Sequence, residues 1–194
     1  MRVALFGHSY VRDLQTYLDR NRLQLCDSRD GIFFEAETFC FPGATFSRFV
    51  EEPNLLNDLV SFCPDIVCVI LGGNDLKTDY PLANVRADCK HFYELLKSRL
   101  PNCYIIAGQI ESRFHRIPNR HKTPLEPVFS ALANSFNCWI NKQSFKDRIL
   151  GLKGVSKLSK PIFYRDHTHL NTLGLARLLE LVRFVIFDSI KNKT

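Results

Sequence analysis

The chain has 194 residues, 45% of them hydrophobic and 24% charged, the make-up of one ordinary globular domain. That balance excludes a disordered, collagen-like, coiled-coil or repeat-array protein, and no apolar run reaches the roughly 18 residues needed to cross a membrane. A formal charge of +6 leaves room for an anionic partner without demanding one.

In chain order, Arg2-Val-Ala-Leu-Phe6 is a short apolar run that ends at a glycine, and it predicts a buried strand. Residues 10–25 then place Val11, Leu14, Tyr17 and Leu18 at helical spacing. Residues 33–41 alternate Phe34, Ala36, Thr38 and Cys40 with Glu35 and Glu37, a strand pattern stopped by Pro42-Gly43. A short helix is expected over 54–62, before Pro64-Asp65 breaks the chain. Ile66-Val-Cys-Val-Ile-Leu71 has no polar face, as expected of a central strand covered on both sides. Val85, Cys89, Phe92, Leu95 and Leu96 predict an amphipathic helix over 82–100, and 103–107 predicts another buried strand. Residues 111–123 are polar and basic and read as a loop. A helix is expected over 124–141, with proline near its first turn, then a Lys/Gly/Ser-rich loop over 151–161 and a strong helix over 171–190. Strands and helices alternate from end to end. They predict an α/β single-domain doubly wound parallel sheet over residues 1–194, with helices on both faces.

The charge is uneven along this pattern. Between Met1 and Asp65, six Lys and Arg face ten Asp and Glu; between Arg86 and Arg165, fifteen face five. The stretch 113–122 carries Arg113, Arg116, Arg120 and Lys122. Such a loop can steer nucleic acid or an anionic membrane surface, and it reads equally well as a solvated surface. Seven cysteines form an odd set with no paired short spacing, and the sequence runs from Met1-Arg2 into a strand rather than a signal-type apolar core. Reduced thiols and an intracellular, cytoplasmic setting are therefore expected. The cysteines mostly occupy apolar positions without metal-ligand spacing and are expected to be buried small hydrophobes. No phosphate loop with lysine and no dinucleotide-type glycine pattern is present, so neither a nucleotide cofactor nor a metal is expected.

In a sheet of this kind the site lies beyond the carboxyl ends of the strands. Polar residues directly after buried strands are Gly7-His8-Ser9, Pro42-Gly43-Ala44-Thr45 and Gly72-Gly73-Asn74-Asp75; Asp166-His167-Thr168-His169 precedes the last helix. Singly these read as helix caps and turns: a serine after a strand caps a helix, and Gly-Gly-Asn tolerates positive φ. Together they supply what acyl transfer needs. Ser9 is the candidate nucleophile and His169 the candidate base. Asp166, three residues earlier, can reach the imidazole Nδ1 and fix its tautomer. The Ser9 and Gly43 N–H groups and the Asn74 amide are candidate oxyanion donors. His8 and Asp75 are candidate lining residues.

These four blocks, in this order, resemble the SGNH (GDSL-like) hydrolase family: Phe6-Gly7-His8-Ser9-Tyr10, Phe41-Pro42-Gly43-Ala44, Gly72-Gly73-Asn74-Asp75 and Asp166-His167-Thr168-His169-Leu170-Asn171. The resemblance implies a flavodoxin-like sheet of about five parallel strands and a metal-free serine esterase. Its catalytic residues would be Ser9, His169 and Asp166, and its oxyanion hole Ser9, Gly43 and Asn74. One departure stands out: the family usually has aspartate before the nucleophile, where this chain has His8. The wording Gly-His-Ser-Tyr-Val-Arg-Asp-Leu, with the late Asp-His-Thr-His-Leu-Asn, further resembles esterase domains in the first open-reading-frame protein of LINE-type retrotransposons. Short connections leave little chain for a large acyl tunnel, so small esters, acetyl above all, are the expected substrates. The rival reading is a binding module on a hydrolase fold that contacts nucleic acid or anionic lipid through the basic loop.

Overall fold

A computed structural model describes residues 1–26, 33–111, 125–151, 163–164 and 169–191. Its elements are β1 (Arg2–Gly7), α1 (Ser9–Asn21), β2 (Glu35–Cys40), α2 (Phe46–Glu51), a 3-10 turn (Pro53–Leu56), α3 (Asn57–Phe62), β3 (Ile66–Ile70), α4 (Leu82–Arg99), β4 (Tyr104–Gly108), α5 (Glu126–Ile140), β5 (Arg148–Leu150) and α6 (Thr172–Lys191). The five strands form one parallel sheet in the order β2-β1-β3-β4-β5. The expected doubly wound α/β architecture is therefore the observed one.

Strand periodicity sorts the side chains into two cores. From β1, Ala4 and Phe6 face one side and Val3 and Leu5 the other; from β3, Val67 and Val69 oppose Ile66, Cys68 and Ile70. The first face is rich in aromatic residues and is covered by α2 to α5, with Phe46, Phe49, Phe92, Phe129 and Phe136 buried there. The second is aliphatic and is covered by α1 and α6 through Val11, Leu14, Leu178, Val182 and Ile186. All five residues of β3 are buried, which explains its unbroken apolar run. Strand β2 lies at the sheet edge, and Glu35, Ala36 and Glu37 are exposed there.

Several expectations need correction. The first helix stops at Asn21 rather than near Leu25, because Arg22 turns left-handed (φ 52°) and its N–H returns to Asp19 and Leu18. Helix α2 and strand β5 have no counterpart in the sequence reading; six and three residues are too few to display a period. The short helix expected over 54–62 is a 3-10 turn followed by α3. The thiols are also less buried than expected. Cys68, Cys89 and Cys103 are buried, but Cys40, Cys63 and Cys138 are exposed. Cys40 stands on the edge strand, Cys63 is the left-handed cap of α3 (φ 50°), and Cys138 lies on the outer side of α5. No helix among the described residues is long and apolar enough to cross a membrane.

Candidate active site

The strand order puts the C-terminal ends of β2, β1 and β3 side by side, and the first three sequence blocks leave the sheet from those ends. Backbone hydrogen bonds tie them together there. His8 N donates to Ile70 O (3.2 Å), and Phe41 N donates to Gly7 O (2.8 Å). Block one is thus fastened to the end of β3, just ahead of block three, on one side and to block two on the other. Gly7 is needed for this closeness, since a Cβ on it would overlap the Ile70 carbonyl oxygen.

A single residue, His8, separates β1 from α1. His8 has extended backbone, and its Nδ1 accepts from Tyr10 N at 3.4 Å, so His8 is the N-cap of the helix. This overturns the view of Ser9 as a mere helix cap: Ser9 is the first helical residue, 9% exposed, at the sheet's carboxyl edge. Its N–H belongs to the first turn of α1, where N–H groups have no carbonyl partner within the helix and the helix dipole favours negative charge. His8 itself is no solvent-facing loop residue. It is 3% exposed, and its ring meets Tyr10 edge-on at 5.0 Å between centroids.

Gly43 sits in a turn closed by Ala44 N donating to Phe41 O (3.0 Å) and adopts φ +75°, which disfavours any side chain. The space around it is open: a Cβ there would have no atom within 4 Å. Gly43→Ala should therefore fold, with strain of about 1–2 kcal/mol as the whole cost. Urea unfolding measures this, and a substantially larger loss would mean that the turn is packed. In the third block, Asp75 N donates to Gly72 O (3.1 Å), closing a turn in which Gly72 has φ +100°. Asn74 Nδ2 donates to Ala44 O at 3.1 Å. This contact orients the amide toward the loop that carries Gly43. Gly43 and Asn74, 31 positions apart, are thereby brought together. Asp75, a candidate lining residue, is 2% exposed, and its Oδ1 accepts from Phe46 N (2.8 Å).

The fourth block is described in part. His169 is half-buried; its carbonyl accepts from Tyr164 N (2.8 Å), and Leu170 beside it forms a bridge with Phe163. Asn171 caps α6, its Oδ1 accepting from Leu173 N (3.0 Å) and Gly174 N (3.1 Å). Leu170 belongs to the same buried cluster as Tyr10 and Val11. Asp166, His167 and the basic residues Arg113, Arg116, Arg120 and Lys122 lie outside the described residues.

Two residues absent from the sequence reading line a small cleft beside the Ser9 turn. Gln109 and Glu111, each 6% exposed, follow β4 and share the cleft with His8, Tyr10, Ile70, Leu71, Gly73 and Ile110. Amides on α5 hold this segment. Asn137 bonds both to Ile110 N (2.8 Å) and to Ile110 O (2.9 Å), and Gln109 Nε2 donates to Asn141 Oδ1 (3.0 Å). The signal was present in Gly108-Gln109-Ile110-Glu111, which is polar directly after a strand like the other blocks.

The buried thiols do not compete with Ser9 as nucleophiles. Burial pushes the Cys68 thiol up to about 12 and raises Cys89 well above its ordinary value, so both stay protonated at neutral pH. Beyond Asp75, the loop is tied to α4 by Tyr80 donating to Asp88 Oδ2 (2.7 Å); that bond, more than burial, pushes the phenol up to about 12.

The fold so built is that of solved GDSL-like lipases and esterases. The chain is similar to a GDSL-like lipase from Bacteroides thetaiotaomicron, with TM-score 0.65 and 15% identity over 97% of this chain and 88% of that one. A lipase/acylhydrolase from Enterococcus faecalis gives 0.66 and 16% over 95% and 94%, and a carbohydrate esterase family 3 protein from Talaromyces cellulolyticus gives 0.67 and 15% over 99% of both. No family model and no curated protein matches the sequence. At these identities the likeness is one of fold.

Proposed function

We propose that the chain is a serine esterase that hydrolyses small acyl esters. The observation that carries this reading is the joining of three loops at one sheet edge. Ser9 opens a 13-residue helix there, while the Gly43 turn and the Asn74 amide are hydrogen-bonded to each other beside it. Ser9 Oγ attacks the ester carbonyl as His169 takes its proton, and Asp166 steadies the imidazolium. The Ser9 and Gly43 N–H groups and the Asn74 amide hold the oxyanion. His169 then protonates the departing alcohol and activates the water that frees the acyl group. This chemistry asks nothing of a metal or cofactor.

The cleft walled by His8, Tyr10, Leu71 and Glu111 lies beside the Ser9 turn and is the candidate place for the acyl group. The short connections between elements favour a small acyl group, acetyl above all. Similar proteins named as acylhydrolases, lipases and an acetyl xylan esterase support the same reaction class. p-Nitrophenyl acetate should be turned over well above its spontaneous rate, and faster than the octanoate ester; no turnover of either would overturn the proposal.

The narrower likeness to retrotransposon esterase domains rests on sequence wording alone and gains no support from the similar structures. A second reading rests on the strongly basic segment between Arg86 and Arg165: an acidic partner, nucleic acid or anionic lipid, engaged through Arg113, Arg116, Arg120 and Lys122. Binding of that kind weakens steeply with salt, because released counterions drive it. Salt-insensitive or absent binding to a single-stranded oligonucleotide and to phosphatidylserine vesicles would remove this reading.

A further inference from the structure

The turn after β3 grips the loop after β2 at two points. Asn74 takes Ala44 O through Nδ2 (3.1 Å), and the next residue, Asp75, takes Phe46 N through Oδ1 (2.8 Å). The gripped atoms bracket Thr45 and lie directly after Gly43. Phe46 is itself immobilised by the aromatic core: it is 1% exposed, and its ring packs against Phe92 (5.6 Å), Tyr93 (6.3 Å) and Phe136 (6.1 Å). Asp75 therefore bonds a residue that is locked into the packed interior. A buried carboxylate accepting from a backbone N–H makes a charge-assisted bond, stronger than a neutral pair.

We propose that Asp75 is a positioning residue for the oxyanion hole: it sets the distance between the Gly43 N–H and the Asn74 amide by holding the loop that carries Gly43 against the turn that carries Asn74. Resting on the esterase reading, this assigns Asp75 a role that neither substrate contact nor proton transfer describes. Asn74 holds the loop at Ala44, which is itself buried in the aromatic core, and Asp75 adds a second hold two residues along. Gly43, with φ +75° and open space around it, has no side-chain packing of its own, so the place of its N–H follows these two holds. Donors held to within a fraction of an ångström separate a working oxyanion hole from a poor one, and about 1 Å of misplacement costs on the order of 10²-fold in rate.

The test is steady-state hydrolysis of p-nitrophenyl acetate by wild type, Asp75→Ala, Asp75→Asn, Asn74→Ala, the Asn74→Ala/Asp75→Ala double variant and Ser9→Ala, with thermal unfolding of each. Asp75→Ala should lower kcat by about 10–10²-fold with KM within about twofold. Asp75→Asn keeps an acceptor oxygen for Phe46 N and should recover most of that kcat. In the Asn74→Ala background the same Asp75→Ala change should cost less than about threefold, because the hole it positions is already broken. An equal proportional loss in both backgrounds, or a lowered melting temperature with unchanged kcat, would overturn the role. Should Asp75→Ala fail to fold, Asp75→Asn decides: near-native kcat upholds the role, and a loss as large as that of Asn74→Ala overturns it. If Ser9→Ala matches wild type, the esterase reading fails and this inference with it. If Ser9→Ala is inactive, the Asp75 series is read on its own.

Discussion

Ser9→Ala should abolish esterase turnover, by at least about 10⁴-fold, and leave the melting temperature essentially where it was. The two halves of that result separate the catalytic from the structural meaning of the residue. Were Ser9 the helix cap, alanine would cost about 1 kcal/mol and do little to any activity. In this fold the cap is His8, through Nδ1 and Tyr10 N. Ser9 is the first helical residue, where alanine is an excellent helix former and keeps the Cβ, so that only Oγ is lost. Stability should hold while the nucleophile disappears. Turnover by Ser9→Ala equal to wild type would remove the mechanism; a lowered melting point with activity retained would return Ser9 to the role of a cap. The measurement is the initial rate on p-nitrophenyl acetate beside a thermal melt of both proteins.

Gly7→Ala should be the most damaging small substitution to the fold, by about 3 kcal/mol, the upper end of what one inserted methyl costs in a packed interior. Gly7 pairs with Cys40 of β2 and Ile70 of β3 at the ends of both neighbouring strands. Its absent Cβ leaves room for the Ile70 carbonyl, the group that also accepts from His8 N. An alanine would meet Val11 Cγ2 at 3.1 Å as well, so strand and helix must both give way. The small gain that alanine brings by restricting the unfolded chain, about 0.4–1 kcal/mol, does not offset this. The urea midpoint should fall with an unchanged slope, and acetyl ester turnover should fall with it, since the Ser9 turn hangs on the same contact. A wild-type midpoint would show that β1 and β3 can separate at this end without cost.

How much of this was legible in the residues depended on length and burial. The strand at 66–70 declared itself because both its faces are covered, and the long helices because they repeat the 3.6 period several times. Helix α2 and strand β5 were silent for the opposite reason. Six and three residues lie below one clear period, and β5, beside Lys146-Asp147-Arg148, has no apolar run to mark it. The candidate site was legible as residue types after strands, and in the fold the loops after β2 and β3 meet through Asn74 Nδ2 and Ala44 O. Two things were not legible. Composition favours serine over histidine as a cap, but the junction of β1 and α1 is one residue long, so the cap can only be His8. The turn of Asp75 toward Phe46 N depends on β2 and β3 flanking β1, a pairing that no local pattern encodes.

The cap carries one more consequence. To accept from Tyr10 N, the Nδ1 of His8 must be bare, so this cap is made only by a ring that carries no hydrogen on Nδ1. The carboxylate usual at this position in the SGNH pattern is an anion at the positive end of a helix and is steadied by it. An imidazolium there could neither accept the bond nor sit comfortably in that field. A ring that gains a hydrogen on Nδ1 loses this cap, so the strand-to-helix corner before Ser9 depends on which nitrogen of His8 is bare.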